Sequence, residues 1–485
     1  MNALTTDTIA ALATAPGKSG ICVVRVSGPA AASIATSILA FTPTPRTAHL
    51  SQFKDACDDT IDEGIALFFK GPASFTGEDV LELQGHGGLS VQKLILDRVL
   101  SLGARLANPG EFSERAFLNN KIDLVQAEAI ADLIDANSAQ AARSALRTLS
   151  GEFSNKVNHL VAGLTKIRVN IEAAIDFSDE DIDIITESRV KEGLREIGES
   201  LALALSQANK GMLLKEGMQV VIAGEPNAGK SSLLNALSGN DSAIVTSIAG
   251  TTRDLLSEQL QIDGMPVHIT DTAGLRLSED VVEQEGIRRA ADAVRKSDKV
   301  LLVIDSSVSV SQTVSQLLSV DVNDLNELPL SLVPKLLLDE PALFAKTLVI
   351  FNKADLTPGA ALGRGALTVP ASLRARDGVP AKLESITLSA KLNEGIDALR
   401  DALKESIGFN SMIEGAFVAR ERHLIALRAA RELIASAEQC LADGVPFELA
   451  AEDLRLAQNE LGRITGQITS DDLLGEIFSN FCVGK

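Results

Sequence analysis

Tryptophan and tyrosine are absent from this chain of 485 residues, and so is any apolar run long enough to cross a bilayer, which excludes a helical membrane protein. Cysteine is scarce. Cys22, Cys57, Cys440 and Cys482 lie far apart, with no CxxC pair and no clustered histidine, so neither a zinc site nor a disulfide framework is expected. The opening stretch MNALTTDTIAALATAPGK lacks the basic, apolar and small-residue regions of a secretory signal, and the expectation is a cytoplasmic protein with reduced thiols. Positive charge is also in deficit. With 45 Lys and Arg against 65 Asp and Glu, the formal charge is −20, which argues against a protein that coats nucleic acid through phosphate neutralisation. Any nucleic acid would be held by a partner or at one restricted surface.

What is present is the composition of a soluble globular protein, 45% apolar and 23% charged, in a chain long enough for about three domains. From Asp7 to about Leu118, β-rich runs such as GICVVRVSG alternate with helical stretches and Gly/Pro punctuation. From Asp123 to about Leu214 the apolar spacing is helical, as in AEAIADLIDANSAQAARSALRTL. Alternating strands and helices return between Glu216 and about Gly408, and helical texture resumes after Ile413. The fold class is therefore α/β plus all-α, with a P-loop domain inserted into a helical domain and a separate α/β module before it. The expected domains are residues 1–121, 122–215, 216–408 and 409–485. Residues 306–346 read as an insertion with a mobile loop.

The strand MQVVIAG runs into Gly224-Glu225-Pro226-Asn227-Ala228-Gly229-Lys230-Ser231 and then the helical SLLNALSG. This GxxxxGKS spacing lets backbone N–H groups wrap a phosphate at a helix N-terminus, with Lys230 on the outer phosphates and Ser231 on Mg²⁺. Asn227, Ala228, Gly229 and Ser232 complete the loop's expected contacts. In HITDTAG, Asp271 can hold Mg²⁺ through water and Gly274 can sense the γ-phosphate, with Thr272 and Ala273 between them. LVIFNKAD ends in Asn352, Lys353 and Asp355, and Asp355 can accept both the ring N–H and the exocyclic amine of guanine. ITLSAK adds Ser389, Ala390 and Lys391 as the second base loop. Four motifs in this order specify GTP.

Where Ras-type enzymes carry a water-orienting glutamine, this chain has Leu275, so another polar group must act. Arg276 and the acids of LSEDVVEQEG, Glu283 among them, are the candidates. In IVTSIAGTTRD, Thr246, Ser247, Ile248, Ala249, Gly250, Thr251 and Thr252 form the expected switch segment. Thr251 and Thr252 offer a switch threonine for Mg²⁺. Backbone carbonyls there and the Asn227 side chain could build an oxygen cage for a monovalent cation, supplying the charge that an arginine finger supplies elsewhere.

The words GEPNAGKSSLLNAL, IAGTTRD, DTAGLR and NKAD, together with SFTGEDVLELQGHGG, NPGEFSERAFLNNKIDLVQAEAIADLIDA and the final TSDDLLGEIFSNFCVGK, closely resemble the MnmE (TrmE) family of tRNA modification GTPases, from Asp7 to Lys485. The resemblance implies a homodimer joined through amino-terminal domains of folate-binding type, and a potassium-stimulated G domain that dimerises across its nucleotide face. It implies a flavoprotein partner, MnmG (GidA), in a heterotetramer or larger complex. It also implies addition of an aminomethyl or carboxymethylaminomethyl group at C5 of the wobble uridine of certain tRNAs, from a methylene- or formyl-tetrahydrofolate. No GxGxxG fingerprint occurs here, so FAD would sit on the partner.

Carried over by position, the potassium ligands match Asn227, Thr246, Ile248 and Thr251, the magnesium ligands Ser231 and Thr252, and the water-orienting glutamate Glu283. The folate contacts match Arg25, Glu82, Lys121 and Lys485. Cys482 stands where a prenylation box would place its thiol, but the last residue of FCVGK is Lys485, which such boxes do not use. A reactive Cys482 beside a one-carbon carrier and a packing role both stay open. The alternative for the whole chain is a regulatory GTPase switch of the ribosome-assembly type, with the amino-terminal module as a docking platform.

Overall fold

A computed structural model describes residues 7–136, 138–176, 183–239, 257–262, 265–271, 291–307, 335–357, 360–376, 378–406, 417–443, 447–468, 471–479, 481 and 484. By internal contacts the chain divides into two compact units. One comprises Met1–Asp135, Ala145–Leu205 and Glu421–Lys485, and the other Ala136–Ser144 and Ser206–Arg420.

The first unit opens with a six-stranded sheet, β1 (Ile9–Leu12), β2 (Ile21–Ser27), β3 (His49–Lys54), β4 (Thr60–Phe69), β5 (Val80–His86) and β6 (Arg105–Leu106), in the order β3-β4-β5-β2-β1-β6. All pairings are antiparallel except β1 with β6. Side chains alternate across a strand, so Cys22, Val24 and Val26 point inward while Val23 and Arg25 share the other face. The inward residues pack under the helices Ala31–Leu39 and Leu89–Ser101, around Phe53, Leu81, Leu83 and Ile95. On the other face, the fully buried Phe112 of helix Glu111–Leu118 sits with Ile9 and Ala11 of β1.

The helical part of this unit begins at Leu124–Ile134, whose start is set by a capping box: Asp123 accepts from the Gln126 N–H and the Gln126 side chain accepts from the Asp123 N–H. Helices Glu152–Asp176, Glu421–Ala442 and Phe447–Thr465 pack along buried rows such as Leu160, Leu164, Ile167 and Ile171. Helix Asp471–Ser479 closes against Leu124 and Ala127 through Leu474, Ile477 and Phe478.

The second unit carries a seven-stranded sheet of β7 (Met218–Gly224), β8 (Ser257–Ile262), β9 (Met265–Asp271), β10 (Lys299–Asp305), β11 (Thr347–Asn352), β12 (Gly363–Thr368) and β13 (Lys382–Thr387), in the order β12-β13-β11-β10-β7-β9-β8. The five central strands are parallel and the two edge strands antiparallel. Helices cover both faces, so β11 is buried along its whole length and β7 sends Val220 and Ile222 into one core and Val221 and Ala223 into the other.

One expectation changes here. Within the stretch read as an insertion, residues 335–346 form a short helix, Lys335–Asp339, and a 3₁₀ turn, Pro341–Lys346, that bury Leu337, Leu343 and Phe344 in the second of those cores. Pro341 and the brevity of the apolar run give it a loop-like texture, yet the sheet face needs those side chains. Residues 308–334 lie outside the described residues.

Candidate nucleotide site and sheet-face site

Parallel strands deliver their following loops to one edge of a sheet, and the nucleotide motifs follow β7, β11 and β13 in this way. The phosphate loop depends on two glycines. Gly224 has φ +148° and a Cβ there would lie 2.2 Å from the Val303 carbonyl oxygen; Gly229 has φ +90° and a Cβ would lie 2.2 Å from the Asn352 Nδ2. Asn227 also adopts positive φ, +63°, which asparagine tolerates better than most residues. The loop then enters helix Lys230–Ser238 with Lys230 and Ser231 in its first turn, where unpaired N–H groups favour an anion. The Lys230 ammonium donates to the carbonyls of Gly224 and Glu225 at 3.1 and 3.0 Å, which holds it over the loop.

Asn352, 2% exposed, is the keystone. Its Nδ2 donates to the Ala228 carbonyl at 2.9 Å, and its Oδ1 accepts from the Ala390 N–H at 3.0 Å, so one side chain ties the phosphate loop to the second base loop. The Ser389 hydroxyl donates to Asp355 Oδ1 at 2.6 Å, fixing the carboxylate with its other oxygen unengaged among the described residues. Lys353, at φ +65°, pairs with Asp305 at 2.5 Å. Burial opposes the charge on Asp305, but Lys353 and the hydroxyl and N–H of Ser307 outweigh it and hold the carboxyl below its usual range.

Sequence reading missed Asp305 and Ser306, whose N–H and hydroxyl both donate to the Asn352 carbonyl, at 2.9 and 2.7 Å. The available signal was an acidic residue followed by serines at the end of the strand LLVID. Asp271 ends β9 beside Ile222 in register, although its side chain lies outside the described residues. Thr246 to Thr252, Thr272, Ala273, Gly274, Arg276 and Glu283 lie outside them too, so the cation cage and the water-orienting group remain expectations from the sequence.

In the first unit, Arg25 and Glu82 are direct cross-strand partners, with Arg25 Nε and a terminal nitrogen each 2.9 Å from Glu82 Oε1. The Arg25 guanidinium lies 5.8 Å from the ring centres of both Phe75 and the buried Phe112, a cation–π setting. Glu82 Oε2 has no hydrogen-bond partner among the described residues. Lys121 donates to the Pro72 carbonyl at 2.9 Å and its methylenes run past Gly77, so it braces the loop that presents Phe75. Cys482 and Lys485 lie outside the described residues.

Among the described residues no helix is long and apolar enough to cross a membrane, and no group of three or more His, Cys, Asp or Glu is placed to hold a metal ion. Residues 8–121 match the family described as GTP-binding protein TrmE N-terminus, and residues 124–482 the family described as MnmE helical domain. The chain is 51% identical over 480 residues to a tRNA modification GTPase MnmE of Marinobacter nauticus, covering 99% of each. It is 52% identical over 483 residues to one of Yersinia pestis, covering 99% of this chain and 100% of that one. Among solved structures, a GTP-binding protein of Sulfolobus solfataricus in complex with GDP aligns with 55% of this chain and 71% of its own, at 17% identity and a TM-score of 0.26. That last similarity is too low to bear on the assignment, which rests on matches spanning nearly the whole chain: the protein belongs to the MnmE (TrmE) family of tRNA modification GTPases.

Proposed function

We propose that this protein hydrolyses GTP and, with a flavoprotein partner that holds FAD, adds an aminomethyl or carboxymethylaminomethyl group to the wobble uridine of certain tRNAs, using a tetrahydrofolate one-carbon donor. The observation that carries the nucleotide part is Asn352, which links a glycine-dependent phosphate loop to a carboxylate set for guanine. Lys230 offsets charge on the β- and γ-phosphates, the first turn of the helix after Gly229 receives them, and Asp355 reads the base. Ser231 and Thr252 would hold Mg²⁺. Asn227 with Thr246, Ile248 and Thr251 would hold K⁺, which would supply positive charge where negative charge develops on the leaving phosphate. Glu283 orients the attacking water, with Arg276 seven positions before it in sequence as the other candidate.

Hydrolysis is expected to run at least tenfold faster in K⁺ than in Na⁺, and to fall by two to three orders of magnitude, roughly, in Glu283→Ala with little change in GTP affinity. Stopped-flow phosphate release in the two salts checks this; equal rates would remove the cation cage.

The sheet-face pair supports the folate part. Arg25 lies near two rings and Glu82 keeps one oxygen uncommitted among the described residues, an arrangement suited to the amine and ring N–H of a pterin, while Lys121 and Lys485 suit a polyglutamate tail. The net charge of −20 favours a partner that holds much of the tRNA, in a cytoplasmic assembly built on a homodimer. Formyl-tetrahydrofolate should bind the intact protein and bind Glu82→Ala at least tenfold more weakly. Cells carrying that variant should also lose the modified wobble nucleoside by mass spectrometry while the purified protein keeps GTP hydrolysis. Normal nucleosides in cells lacking the gene would favour a purely regulatory switch.

A further inference from the structure

Lys353 occupies a left-handed backbone conformation, φ +65° and ψ +36°, which suits glycine, yet it carries a long charged side chain. A long side chain kept at such a position points to a use for the side chain itself. Its Cε lies 4.0 Å from the place a Cβ on Gly229 would take, so the stem passes the phosphate loop, and its ammonium ends 2.5 Å from Asp305 Oδ2. Asp305 closes β10 directly opposite Asn352 in the parallel register.

Asp305 is itself fixed. Its side chain is 15% exposed, and its other oxygen, Oδ1, accepts from the Ser307 N–H at 2.9 Å and the Ser307 hydroxyl at 2.6 Å. The residue between them grips the chain on either side of Lys353: Ser306 donates twice to the Asn352 carbonyl, and its own carbonyl accepts from the Thr357 hydroxyl at 3.0 Å. The carboxylate therefore stands on a braced strand end. Lysine's long stem is flexible, and without a partner for the ammonium it would sample many rotamers. Asn352, on one side of Lys353, is tied to the phosphate loop, and Asp355, two positions on, is the base carboxylate. A nucleotide held at both ends crosses the span between them, where the Lys353 stem lies.

We propose that Asp305 is a positioning residue for the guanine nucleotide: by holding the Lys353 ammonium it fixes the Lys353 stem as the wall along which the nucleoside lies. Asp305 acts through Lys353 and not on the nucleotide itself. The role rests on the reading of Asp355 as the base carboxylate, and one set of measurements separates the two. Affinity for a fluorescent GDP analogue, KM and turnover for GTP, and thermal midpoint are measured on the full-length protein, Asp305→Ala, Lys353→Met and the double variant. Methionine keeps an unbranched stem and removes the charge that Asp305 holds. Asp305→Ala is expected to bind about tenfold more weakly and to raise KM by a similar factor, with turnover and midpoint those of the parent. Made on Lys353→Met, the same change should cost less than about twofold. Equal affinity in Asp305→Ala and the parent overturns the role. A loss of the same size in both backgrounds makes Asp305 independent of Lys353 and overturns it too, as does a loss that tracks a fall in midpoint. ATP competing with the analogue as well as GTP does, on the unaltered protein, overturns the base reading and the role together.

Discussion

Replacing Glu128 by alanine should destabilise the first unit by about 3–5 kcal/mol, because it removes a buried carboxylate that pairs with the half-buried Arg422 and the buried His423. Glu128 sits in helix Leu124–Ile134 with its side chain 2% exposed. Both its oxygens are 2.8 Å from the Arg422 guanidinium in a fork, and Oε2 is 3.0 Å from Nε2 of His423, itself 2% exposed and edge-on to Phe153 at 5.3 Å. Arg422 also donates to the carbonyls of Arg463 and Ile464 at 3.0 and 3.2 Å, near the end of helix Phe447–Thr465, where a cation is favoured. One carboxylate thus neutralises a group that joins three helices.

Burial works against the charge on Glu128, but His423 first and Arg422 after it hold its carboxyl far below the usual carboxylate range. A carboxyl depressed in the folded state stabilises the protein above its unfolded value, near 4.3, and loses that contribution as pH falls from there towards the folded value. The thermal midpoint of the unaltered protein should therefore drop on acidification more steeply than that of Glu128→Gln. At neutral pH, Glu128→Ala should lower it by on the order of 10 °C by circular dichroism. An alanine variant as stable as the parent would mean that the triad contributes no net stability.

Asp355→Asn should lower GTP affinity by about a hundredfold or more and raise affinity for xanthosine triphosphate. An amide in place of the carboxylate cannot accept two N–H groups, but it can donate to the carbonyl that xanthine carries where guanine has its amine. Ser389 holds Asp355 Oδ1, and Asn352 holds the loop bearing Ser389, so the asparagine side chain inherits a fixed position and the swap should be one of specificity rather than of fold. Competition between the two nucleotides for a fluorescent analogue reads the effect, and unaltered GTP affinity would remove Asp355 from base recognition.

Much of this was legible in the chain. The β texture of GICVVRVSG and the helical texture of AEAIADLIDA became a strand and a helix because apolar periodicity reports directly which face is buried. The phosphate loop was legible because its backbone needs glycine at 224 and 229, and residue type alone reveals such a need. Other parts gave no local sign. Lys353 could be read as a base-loop residue, but not as the ion-pair partner of Asp305, which arrives from the neighbouring strand. Glu128 looks like any solvated helix charge until Arg422 closes on it from nearly 300 positions away, and residues 335–346 look like a loop until a sheet face calls for Phe344.

The sequence by itself determined the kinds of element, their order and the order of the nucleotide motifs, because periodicity and glycine placement act through neighbours along the chain. Only the tertiary structure decided what Asn352, Glu128 and Asp305 touch. Their partners come from other strands and helices, where position is set by the packing of whole elements and by no rule a short stretch of sequence contains.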